Sequence, residues 1–131
     1  MSRIPGDLRY SRTHEWVRVL GDGTLEVGIT DHAQHALGDL VYVELPEVGR
    51  RVAAREPYAV VESVKAASDI YSPVAGTVAA VNGELASQPE HISQDPYGAG
   101  WIARIRADDA GAVSELLSAG DYARLLAAER A

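Results

Sequence analysis

From Gly38 onward the chain falls into short apolar runs: Leu40 to Leu45, Tyr58 to Ser63, Ser68 to Tyr71, Thr77 to Val81 and Trp101 to Arg106. None is long enough for an ordinary helix, and each is rich in β-branched or aromatic residues, so each reads as a strand. Turn formers separate them at Pro46, Gly49, Pro57, Pro73, Gly76, Asn82-Gly83, Pro89 and Pro96. Many short strands with frequent turns restrict the fold to a small sandwich or barrel. Pro-x-x-Gly occurs twice, at Pro46 to Gly49 and Pro73 to Gly76, as a weak internal repeat on either side of a predicted hairpin, Tyr58 to Ile70.

Upstream, Glu15 to Leu20 and Leu25 to Ile29 are joined through Gly21-Asp-Gly23 and predict an antiparallel hairpin. The period then changes. Asp31 reads as an N-cap with Gln34 three residues on, Ala33, Ala36 and Leu37 share a face, and Gly38 stops a short helix. In the tail, Asp109 is expected to cap a helix carrying Val113, Leu116 and Leu117, ended by Gly120. Asp121 is then expected to cap a second helix carrying Tyr122, Leu125 and Leu126, with fraying from Ala127 to Ala131.

With 131 residues, 47% of them apolar, the chain suits one globular domain. A net charge of −7 repels phosphate backbones, so nucleic acid is not an expected partner. There is no cysteine, which excludes disulfides and thiolate metal sites. No apolar stretch is long enough to span a bilayer, and Met1 to Pro5 lacks the apolar core of a secretory signal, so the expected location is cytoplasmic.

Eleven arginines accompany a single lysine, Lys65, which sits in the turn of the Tyr58 to Ile70 hairpin. A guanidinium keeps its proton and cannot be acylated, whereas an amine can, so a lone lysine at a projecting turn asks whether its nitrogen is used. A compositional bias against lysine is the plain alternative. Glu62 and Asp69 flank the turn and would serve as recognition charges for a basic modifying enzyme.

The segment Val61-Glu-Ser-Val-Lys-Ala-Ala-Ser-Asp-Ile-Tyr-Ser-Pro-Val-Ala-Gly76 resembles the lipoylation segment of the glycine cleavage H-protein family. His14-Glu-Trp16, Val27-Gly-Ile-Thr-Asp31, Leu37-Gly-Asp39, Val43-Glu-Leu-Pro46 and Asp95-Pro-Tyr-Gly-Ala-Gly-Trp101 resemble further family motifs in the same order, from about Tyr10 to Tyr122. The resemblance implies a mainly β, lipoyl/biotinyl-type barrel-sandwich hybrid with an N-terminal hairpin and short helix and two C-terminal helices. It would be a single carrier domain over 1–131, its lipoyl region at about 38–106 and the helices at about 109–128.

The resemblance also implies a carrier rather than an enzyme, with lipoate attached covalently to Lys65. Its partners would be the pyridoxal-phosphate glycine decarboxylase (P protein), the folate-dependent aminomethyltransferase (T protein), dihydrolipoamide dehydrogenase (L protein), and a lipoyl or octanoyl transferase or ligase. Thr13 and Glu15 match positions that line the family's arm cleft, while Trp16 and Trp101 are expected in the core.

A carrier relaying lipoyl or octanoyl groups to other proteins is the alternative function. A biotin carrier fits poorly, since Val64 and Ala66 flank the lysine where that family places methionine. A hydrolase or metal enzyme on His14, Glu15, His32 or His35 lacks a nucleophile, and no metal site is expected although His32 and His35 are close to Asp31. Three positions depart from the family: Arg55 replaces a usual Gly in a turn expected beside the lysine hairpin, His91 a usual apolar residue, and Ser93 a usual Asn.

Overall fold

The structure is a computed structural model that describes residues 3–21 and 23–130. In chain order it contains β1 (Arg9–Tyr10), β2 (Glu15–Gly21), β3 (Thr24–Ile29), α1 (Asp31–Leu37), β4 (Leu40–Glu44), β5 (Arg51–Val52), β6 (Pro57–Ser63), β7 (Ala67–Tyr71) and β8 (Gly76–Val81). A 3-10 turn (Gly83–Ala86), α2 (His91–Gln94), β9 (Ala103–Ala107), a second 3-10 turn (Ala110–Glu115) and α3 (Ala119–Arg130) follow. The strands form two open sheets, one ordered β1-β2-β3-β9-β8-β5 and the other β4-β6-β7, with every pairing antiparallel.

Strand alternation builds two cores from one hairpin. In β2, Val17 points between the sheets with Val27, Val43, Val61, Ile70, Val78 and Ile105, while its neighbour Trp16 points the other way. Trp16 joins Leu8, Tyr10, Tyr97, Tyr122 and Leu126 in a second cluster beneath α3. There Tyr10 and Tyr122 stack with ring centroids 4.6 Å apart, and the Trp16 indole donates to the Pro96 carbonyl at 2.8 Å. Gly28 pairs with Trp16 across the hairpin, and a Cβ at Gly28 would fall 2.7 Å from the indole nitrogen. The indole therefore occupies the space that a side chain at this position would need. Trp101 is only half-buried, at the edge of the same cluster, with the Arg104 guanidinium 4.3 Å above its ring.

β2, β3, β4, β6, β7, β8, β9 and α1 lie close to where the sequence puts them, whereas the two-residue edge strands β1 and β5 do not follow from it; Asp22 of the hairpin turn lies outside the described residues. Several boundaries differ for local reasons. Thr30, not Asp31, caps α1: it is extended and fully buried, and its hydroxyl accepts the Ala33 N–H at 3.3 Å. Asp31 is the first helical residue and accepts the Gln34 side-chain amide at 2.7 Å. β9 starts at Ala103 rather than Trp101, because the Asn82 amide takes the Ala99 and Trp101 carbonyls, each at 2.8 Å.

The tail also corrects the sequence reading. Asp109 does cap the first segment, but that segment winds as a 3-10 helix and stops at Glu115, because Leu117 exchanges both backbone hydrogen bonds with Tyr10. Gly120 lies inside α3 rather than before it, and Ser118, not Asp121, receives the first helical N–H groups. α3 runs to Arg130, past the end near 128 expected for the last helix. The two Pro-x-x-Gly glycines serve different needs: Gly49 has φ +94°, whereas a Cβ on Gly76 would lie 2.2 Å from the Arg106 carbonyl oxygen. Among the described residues no helix is long and apolar enough to cross a membrane.

Candidate functional site

Lys65 is exposed at the bend between β6 and β7. Ser63 clamps that bend: its backbone N–H donates to the Ala66 carbonyl at 2.7 Å, and its hydroxyl accepts the Ala66 N–H at 3.1 Å. The Val64 N–H donates to the Asp39 carbonyl at 3.0 Å, tying the bend to the loop after α1. A short turn held at three points leaves the lysine side chain as its moving part. Gly38, the C-cap of α1 with φ +81°, lies under that side chain, its ideal Cβ position 3.8 Å from Lys65 Cε.

A cleft of about 270 Å³ runs between α1 and the hairpin. His32, Ala33, Ala36 and Leu37 form one wall, Ser68, Asp69 and Ile70 the other, and Thr13, His14 and Glu15 close one end. Because Gly38 follows Leu37 and Ser68 lies three residues beyond Lys65, the lysine stands beside this cleft. The wall supplied by α1, seven residues long, spans about 10 Å.

Glu15 is 1% exposed. Its carboxylate accepts the hydroxyls of Ser11 and Thr13 and the Tyr71 N–H at 3.3 Å. Burial pushes its pKa up to about 7, against the lowering effect of those donors. No arginine or lysine pairs with it among the described residues. The result is a buried carboxyl with satisfied hydrogen bonds and no counter-charge, facing a cleft, and an arriving cation would draw it into the ionised form.

The structure brings Thr13, Glu15 and Asp69 together around the cleft. Strand register places Glu62 and Asp69 on one face of the hairpin, opposite Ala67 and Val60 respectively; Asp69 lines the cleft, while Glu62, nearer the turn, does not. Sequence reasoning missed Ser11 and Ser63, and named His14 only within a family motif and as a rival hydrolase or metal residue. Alternation through Ser11, Thr13 and Glu15 held the signal for the first, and a Ser two residues before the bend held that for the second. The His14 contact with Tyr122 carried no such signal, because His14 has φ +72° and its imidazole Nδ1 lies 2.8 Å from a hydroxyl 108 residues away. His32 faces the cleft while His35 is exposed and lies 3.7 Å from Asp31, so the two do not act as a pair.

Arg55 adopts φ +70°, the strain expected where glycine is usual. The turn lies beside the lysine hairpin, as expected, but at its base. The turn Ala53 to Glu56 is fastened to Ser72, whose carbonyl accepts the Arg55 N–H at 2.7 Å and whose N–H donates to the Glu56 carbonyl at 2.9 Å. That is the base of the hairpin, where Pro57 pairs with Tyr71, and the length of β6 separates it from Lys65 by roughly 20 Å. His91 is partly buried, with Nε2 3.7 Å from Glu84, and Ser93 is partly buried in α2.

Two sheets carrying a lysine on a clamped hairpin bend define a lipoyl-type fold, and the comparisons agree. The structure superimposes on the crystal structure of a glycine cleavage system H protein from Mycobacterium marinum with a TM-score of 0.86 and 43% identity, covering 95% of this chain and 99% of that one. Glycine cleavage system H proteins of Alkalilimnicola ehrlichii and Xanthomonas campestris pv. campestris are 58% identical over 98% of the chain and 60% identical over 96%, covering 99% and 96% of the relatives. The family profile described as Glycine cleavage H-protein matches residues 8–129. The chain belongs to the glycine cleavage H-protein family.

Proposed function

We propose that the chain works as one lipoyl-carrier unit of glycine cleavage, with lipoate in amide linkage to Lys65. The observation that carries this reading is the pairing of an exposed amine on a clamped bend with a cleft ending in Glu15. The residues present fit such a group: the amine is accessible for acylation, and the buried carboxyl has no cation of its own. When bound, the lipoyl group supplies a dithiol/disulfide pair able to accept an aminomethyl group and release it.

The protein's own residues bind and shield. Thr13 and Glu15 hold the ammonium end of the cargo: Glu15 gives up its proton as the cation arrives, and the Ser11 hydroxyl and Tyr71 N–H keep the carboxylate oriented. The walls from α1 and β7 exclude water. Glu62 and Asp69 present negative charge to a lipoyl or octanoyl transferase or ligase with a basic face. The carrier then visits glycine decarboxylase, aminomethyltransferase and dihydrolipoamide dehydrogenase in turn, and the net charge of −7 favours docking to basic surfaces on them.

The test is Lys65→Arg. Reconstituted glycine–bicarbonate exchange should fall to background while the melting temperature stays within about 1 °C of the parent, since an exposed charge is retained. A lipoyl mass increment on Lys65 is expected in protein from lipoate-supplied cells, and exchange activity surviving in the Arg variant would overturn the proposal.

A further inference from the structure

We infer that His14, His32 and Glu129 form a binding site for a divalent transition metal of the zinc class, where the cleft meets the last turn of α3. One ligand atom from each lies within 4.8 Å of the others. His14 Nε2 is 3.3 Å from Glu129 Oε1. Two ligands about 2.0–2.1 Å from one tetrahedral zinc are themselves about 3.3–3.4 Å apart, so this pair already has the spacing of a coordination shell. The His32 ring, with its centroid 4.8 Å from that of His14, stands beside this pair as the third ligand.

Three further features belong to a built site rather than a chance encounter. The other nitrogen of His14, Nδ1, meets the Tyr122 hydroxyl at 2.8 Å, and that hydroxyl meets Thr30 Oγ1 at 2.7 Å. A hydrogen-bonded Nδ1 aims Nε2 and makes it a better donor, which is how metal-ligating histidines are ordinarily held. The backbone of His14 sits at φ +72°, a costly conformation for a residue with a side chain, and this directs the ring toward Tyr122 and Glu129. The three ligands come from separate elements, the turn before β2, α1 and α3, so a bound ion would cross-link them.

Two imidazoles and one carboxylate suit zinc, nickel or copper rather than magnesium or calcium. Three protein ligands leave a fourth position for water or an incoming group, and both histidines line the cleft from which it would come. The inference does not require acylation of Lys65.

Zinc titrated calorimetrically into the metal-free, unlipoylated chain tests this directly. One equivalent should bind, and cobalt in its place should give the visible absorption of a tetrahedral site. Glu129→Gln, on an exposed last turn, should weaken binding at least tenfold without changing the metal-free melting temperature, and should abolish the rise in melting temperature that zinc gives the parent. His32→Gln and His14→Asn, the latter chosen because asparagine tolerates positive φ, should do the same to binding. His35→Gln and His91→Gln should leave affinity within twofold. Absence of stoichiometric binding, binding indifferent to Glu129→Gln, or binding lost with His35→Gln would overturn the site.

Discussion

Glu15 accepts the backbone N–H of Tyr71 at 3.3 Å, so the carboxyl that closes the cleft is tied to the end of the lysine hairpin 56 residues away. The bond locks Glu15 in place while leaving it without a cation, and the consequence is a pH dependence of stability. Burial raises its pKa from 4.5 to about 7 in the folded chain. Between those values the folded state binds more protons than the unfolded state, so stability falls as pH rises through this window. Glu15 should therefore make the protein about 2–3 kcal/mol less stable at pH 8 than at pH 4.5, considering this group alone. Urea unfolding at the two pH values should show that difference shrinking by a similar amount in Glu15→Gln, and an unchanged difference would count against the assignment.

Arg55 is strained but remote from the lysine turn. Arg55→Gly should relieve about 1–2 kcal/mol of left-handed strain and lose part of that gain to unfolded-chain entropy, for a net gain of up to about 1 kcal/mol. Because the turn lies at the base of the hairpin, acylation of Lys65 by a lipoyl-transferring enzyme should proceed within twofold of the parent rate. A large change in that rate would place Arg55 in the recognition surface after all.

At Gly28 the prediction is steric. Adding a methyl group against the fully buried Trp16 indole should cost about 1–3 kcal/mol in chemical denaturation. In a Trp16→Phe background the smaller ring removes the clash, so the cost should fall markedly. Equal costs in both backgrounds would show that backbone conformation, not the indole, demands glycine.

Tyr58 is buried with no hydrogen-bond partner for its hydroxyl among the described residues, and burial together with the nearby Glu15 carboxyl pushes its pKa well up. Removing an unsatisfied hydroxyl removes a desolvation penalty, so Tyr58→Phe should raise stability by about 1 kcal/mol in urea unfolding. A loss of similar size would indicate that the hydroxyl finds a partner in solution.

The sequence by itself determined every strand but the short edges β1 and β5, the N-terminal hairpin, α1 with its stop at Gly38, and the position of Lys65 in a bend, because strand alternation, turn residues and helix stops are written in neighbouring residues. It misplaced the caps at Asp31 and Asp121, where a neighbour, Thr30 or Ser118, offered the better oxygen. Tertiary structure alone decided what depends on distance and burial. It buried Glu15 against Tyr71, carried Arg55 to the end of the hairpin away from the lysine, and brought His14, His32 and Glu129 within reach of one another. A carboxyl acquires its unusual proton affinity, and three scattered side chains come within reach of one another, only when packing removes water and closes chain separations of tens of residues. No local pattern encodes either event.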